Sequence, residues 1–144
     1  MGGSGAEMKF MLDTNICIHL MQRQPEAVMH KFAGLQVGDV VMSSVTYAEL
    51  RCGVECRTEG KAALAGLLDR LTNDIPVLPL DRDAAEHYGE LRAAEAPRGK
   101  HRRDVLDRLI AAHARSRDLV LVTNNEDDFR DYPGLRIENW VGAH

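Results

Sequence analysis

Apolar residues gather in short runs along the chain. Met8–Leu12, Val40–Ser43, Val77–Leu80 and Leu119–Thr123 are each bounded by polar or Gly-containing turns. Runs this short and this continuous predict strands buried on both faces. A fifth run, Leu135–Trp140, alternates apolar and polar positions as a half-exposed edge strand would. Pro79 places the third run at a sheet edge, because proline cannot donate to a ladder. Segments of helical character lie between the runs: Asn15–Gln24, Pro25–Leu35, Thr46–Glu55, Lys61–Leu71, Asp81–Glu95 and Asp104–Arg117. In the second, Pro25 suits a first helical position, and Val28, Phe32 and Leu35 recur at i, i+4 and i+7. Strands alternating with helices predict βαβ crossovers. The expected fold is α/β, with a mainly parallel five-stranded sheet flanked by helices on both sides.

A chain of 144 residues with 44% apolar content is sized for one domain with a buried core, expected over residues 8–144. Residues 1–7, rich in glycine, read as a flexible linker or tag ahead of a second start at Met8. No apolar stretch approaches the roughly 20 residues of a membrane span, and no secretory signal is evident, so a cytoplasmic protein is expected. Three cysteines at irregular spacing form neither a disulfide framework nor a zinc motif. Cys52 and Cys56, at i and i+4, are expected to pack as small apolar groups on one helix face. The net charge of −4 argues against binding nucleic acid through a general basic surface. Locally, however, Arg98-Gly-Lys-His-Arg-Arg103 precedes Asp104 and Asp107 and offers either a positive rim or a solvated loop.

The candidate chemistry lies in carboxylates at the ends of these elements. Asp13, in Phe10-Met-Leu-Asp-Thr-Asn15, ends a strand at the edge where open α/β sheets hold their sites. It could equally cap the next helix, although Thr14 and Asn15 could serve as caps instead. Glu49, in Thr46-Tyr-Ala-Glu49, has capping-box spacing. Asp107 falls in an apolar helical segment where an acid needs a partner or a metal, and Asp104 could be the cap of that helix. Gathered carboxylates suit a hard divalent cation. In the apo protein at least one of their pKa values should rise. Val120-Leu-Val-Thr-Asn-Asn125 closes a strand in hydroxyl and amide groups, and Glu126, Asp127 and Asp128 follow. His113, among alanines, reads as a hydrogen-bonded core residue.

Taken in order, Met11-Leu-Asp-Thr-Asn15, Ser44-Val-Thr-Tyr-Ala-Glu-Leu50, Leu106-Asp-Arg-Leu-Ile-Ala-Ala-His-Ala114 and Leu121-Val-Thr-Asn-Asn125 resemble the PIN-domain ribonucleases. Within them the chain looks most like the VapC toxins of VapBC toxin-antitoxin pairs, down to the closing Pro133-Gly-Leu-Arg-Ile-Glu-Asn-Trp140. The resemblance implies a PIN-like fold and an endoribonuclease in which Asp13, Glu49 and Asp107 hold Mg²⁺ or Mn²⁺. It further implies that Thr14, Asn15 and Thr123 orient those acids. Asp107 is chosen over Asp104 by its distance to Leu109-Ile-Ala-Ala-His-Ala114. Asn125 stands where the family often has a fourth acid; it brings no charge, and Asp127 or Asp128 stands close in sequence to compensate. Lys100, Arg102 and Arg103 are candidates for gripping an RNA backbone. The implied partners are a VapB-like antitoxin and, in a homodimer, a second copy of the chain. An aspartyl phosphatase would want an acid two residues after Asp13, where Asn15 stands. The remaining rival is a degenerate PIN domain that binds RNA or protein without cleaving.

Overall fold

The computed structural model describes residues 8–95 and 105–141. Its elements, in chain order, are β1 (Phe10–Leu12), α1 (Thr14–Gln22), α2 (Glu26–Ala33), β2 (Val40–Ser43), α3 (Ser44–Glu55), α4 (Lys61–Asp74) and β3 (Val77–Leu78). They continue with α5 (Arg82–Glu95), α6 (Val105–Ser116), β4 (Val120–Val122), α7 (Glu126–Phe129) and β5 (Ile137–Glu138).

The five strands form one parallel sheet in the order β3-β2-β1-β4-β5. Phe10 pairs with both Val40 and Val120, so β1 is the central strand. Successive side chains of a strand point to opposite faces, and the two halves of the core follow that alternation. Leu12, Val40, Met42 and Val122 pack beneath α1–α4 with Ile16, Leu50, Leu68 and Trp140. Met11, Val41 and Leu121 face the other way, onto Leu91 of α5, Ile110 and Ala111 of α6, and Phe129. A parallel sheet covered on both sides explains why its strands read as nearly continuous apolar runs.

The expected architecture is present, including the edge positions of the runs containing Pro79 and Ile137. Several details differ. Apart from β2, which matches its run, the strands are shorter than their apolar runs, and α4 extends to Asp74. Pro25 precedes α2 as its cap rather than occupying a helical position. The short helix α7 was not anticipated, because four residues show no measurable period. Helix α3 starts at Ser44, with Ser43 Oγ accepting from Val45 N at 3.1 Å, so Thr46 lies inside the helix and the capping box that the Thr46–Glu49 spacing allowed does not form. Cys52 and Cys56 are exposed and do not pack as core groups. Among the described residues no helix is long and apolar enough to cross a membrane.

Candidate functional site

Strand order sets where the site lies. From β1 the chain moves outward through β2 and β3 on one side, and then returns to place β4 and β5 on the other. The crevice at the carboxyl ends of β1 and β4 is therefore the topological switch point, where open α/β sheets bind ligands. Asp13 leaves β1 at that point and Thr123 leaves β4.

Asp13 is 7% exposed and caps α1, with Oδ1 accepting the Ile16 amide at 3.0 Å. Thr14 and Asn15 lie within the helix, so neither takes over the capping duty. The Thr123 hydroxyl also donates to the Asp13 carboxylate, and it accepts from Asn125 N at 3.0 Å. Burial pushes the Asp13 carboxyl above the usual carboxylate range. The bonds from Thr123 and Ile16 and the nearby His19 pull it back, while Glu49 adds a small upward push. The expected rise is thus present, but its main cause is desolvation rather than repulsion between acids.

Glu49 reaches the same region from α3. Released from capping by Ser43, its Oε1 accepts from Thr14 Oγ1 at 2.5 Å. Thr14, one residue beyond Asp13, therefore ties the second acid to the first. Glu49 also lines a cleft with Ser44, Cys52, Leu80, Leu106 and Leu109. Asp107 lies between those two leucines, half-buried in the first turn of α6. That cleft joins α3 to the start of α6. Among the described residues, no three His, Cys, Asp or Glu side chains converge as a metal-holding group. What the fold brings together is the pair Asp13 and Glu49, with Asp107 on the adjoining helix.

Asn15 is exposed, as is Asn125, whose side chain caps nothing in α7. Asp127 points outward, 89% exposed, and pairs with Arg130 at 3.1 Å. Asp128 is half-buried in α7. Glu126 accepts from Asn139 Nδ2 at 3.1 Å. Lys100, Arg102, Arg103 and Asp104 lie outside the described residues. His113 is fully buried, with Nδ1 2.8 Å from Ser43 Oγ, which is the core role expected of it.

Sequence reasoning missed a buried polar cluster behind the site. Glu95 Oε2 accepts from Arg108 Nε at 3.0 Å and from the Tyr132 hydroxyl at 2.9 Å, while Oε1 faces Arg92. The Arg108 guanidinium lies over the rings of Phe129 and Tyr132. Arg108 follows Asp107 directly, so this cluster anchors the turn that carries Asp107. An Arg in the apolar segment Val105–Ala114 was the one available signal.

The PIN domain family matches residues 10–135. The chain is 42% identical to the tRNA(fMet)-specific endonuclease VapC of Shigella flexneri, over 92% of this chain and 98% of that protein. It is 37% identical to the ribonuclease VapC2 of Haemophilus influenzae over 93% and 99% of the two chains. Among solved structures, a chain of the DNA-bound VapBC complex from Salmonella typhimurium superposes with a TM-score of 0.85 at 38% identity, covering 93% of this chain and 99% of that one. A chain of the promoter-bound VapBC2 complex from Rickettsia felis gives 0.82 at 31% identity, covering 92% and 99%. With matches this extensive in both sequence and fold, the chain belongs to the PIN-domain family, among its VapC members.

Proposed function

We propose that this protein is the toxin of a type II toxin-antitoxin pair, an endoribonuclease that hydrolyses RNA phosphodiester bonds with Mg²⁺ or Mn²⁺ and is neutralised by a VapB-like antitoxin. The observation that carries the reading is the coupling of Asp13, at the switch point, to Glu49 through Thr14, in a chain so similar to VapC endonucleases. The donor chemistry fits a hard cation: Asp13 is a buried carboxylate whose charge is disfavoured by desolvation, and Glu49 supplies a second set of oxygens beside it. Asp107, from α6, is assigned as the third acid.

A divalent ion held there would lower the pKa of a water and stabilise charge on the scissile phosphate. The chain's own residues prepare the place. The Ile16 amide and the Thr123 hydroxyl fix the Asp13 carboxylate, Thr14 orients Glu49, and the Asn125 amide fixes the Thr123 hydroxyl. No side-chain nucleophile is required. Lys100, Arg102 and Arg103 would hold the RNA backbone, and an acidic groove also suits a basic antitoxin segment that competes with cation and RNA. A homodimer in the cytoplasm completes the reading.

The test is incubation of the purified, antitoxin-free chain with total RNA and with initiator tRNA, the substrate class in the Shigella relative's name, in Mg²⁺, in Mn²⁺ and in chelator. Discrete fragments that need the cation are the expected result. Retention of RNA without any cleavage would instead mark a binding module, the reading that the uncharged Asn125 favours.

A further inference from the structure

Cys52 and Cys56 play no part in the core or in the acidic set, yet their sulfurs stand 3.9 Å apart on the exposed face of α3. Distance decides what such a pair can do. A disulfide requires about 2.05 Å between sulfurs, so oxidation would need both side chains to move from where they stand. A tetrahedral cation with metal–sulfur bonds of about 2.3 Å spans roughly 3.8 Å between two thiolates. The observed separation matches the second requirement with the helix left as it is.

We propose that Cys52 and Cys56 form a two-thiolate surface site for a thiophilic divalent cation of the Zn²⁺ or Cd²⁺ type. Both sulfurs are open to solvent, so water can complete the coordination. Gly53, between them in sequence, has nothing within 4 Å of where a Cβ would sit, leaving the helix surface there uncrowded. Arg51 and Lys61, cations of the same region, are engaged by Glu55. Binding takes the cation from solution and releases both thiol protons, so affinity strengthens as pH rises. Soft thiolate donors separate this site from the carboxylate oxygens of Asp13 and Glu49, which favour hard ions. Cys52 lines the same cleft as Glu49, so a cation held there would lie at the rim of that largely apolar cleft. The inference does not depend on whether the chain cuts RNA.

The experiment is titration of the reduced full chain with Cd²⁺, following the ultraviolet thiolate-to-cadmium charge-transfer band that carboxylates do not give. One equivalent should saturate the band, with Zn²⁺ competing for it. Losing a group that merely supports a ligand already weakens metal binding about 10–100-fold. Cys52→Ser or Cys56→Ser should therefore weaken binding at least as much, and the double variant should abolish the band. Cys17→Ala, which removes the buried thiol, should leave it unchanged. A folded protein that gives no band, or a band that survives in the folded double variant, would overturn the proposal.

Discussion

Asp13 caps a helix with the same carboxylate to which the proposed function gives the chemistry. One oxygen closes the first turn of α1, and the Thr123 hydroxyl steadies the group. Glu49 depends on Thr14 for its position, so removing that hydroxyl tests the coupling without touching either acid. Thr14→Val should lower cleavage about 10–100-fold, the scale on which supporting bonds at metal sites act, with little change in thermal midpoint. Unchanged cleavage would show that Glu49 needs no such tether. His113 gives a separate pH signature. Burial lowers its pKa below 6.5, with Asp81 opposing that shift and Arg117 reinforcing it. The unfolded chain therefore takes up the proton first, and His113 contributes stability above pH 6.5 that is lost as pH falls through the lowered value. His113→Asn should flatten the acid side of the stability profile measured by urea unfolding; an unaltered slope would assign it to other groups.

Helix starts decide which acids are available. Ser43 caps α3 one turn earlier than the sequence spacing indicated, and that shift frees Glu49 from capping and lets it accept from Thr14. Behind the site, α5 and α6 are joined by Glu95, Arg108 and Tyr132, each nearly buried. Arg108→Ala leaves Glu95 charged in the interior and should cost about 3–5 kcal/mol in urea denaturation. Replacing both charges, Arg108→Met with Glu95→Gln, should recover much of that loss; a single-variant loss under about 1 kcal/mol would show the pair to be dispensable. The strands and long helices were legible because burial on both faces writes continuous apolar runs and helix periodicity is local. The α5–α6 ion pair was not, because an Arg and a Glu thirteen positions apart give no sign that they meet inside the fold. The Asp13–Glu49 coupling was legible only as a family resemblance; no spacing along the chain reveals a bond between Thr14 and Glu49.

At the scale of the molecule, the sheet brings residues from separate parts of the chain to one crevice: Asp13 after β1 and Thr123 after β4, with Glu49 reaching it from the helix after β2. The net charge of −4 leaves no general attraction for RNA, so under the proposed function binding rests on the cation and on local positive residues. Asp13→Asn separates the two duties of that residue, because Asn caps a helix about as well as Asp, while the amide brings no charge. Burial raises the Asp13 pKa, so its charge disfavours the apo fold above that value, and the variant should melt no lower than the parent. The most direct measurement is RNA cleavage by Asp13→Asn beside the parent chain under saturating Mg²⁺ or Mn²⁺, with folding verified by circular dichroism. Loss of at least about a thousandfold in rate, the several kcal/mol a metal's charge supplies, is the expected result. Undiminished cleavage by the folded variant would contradict the assignment of Asp13 as the centre of the site.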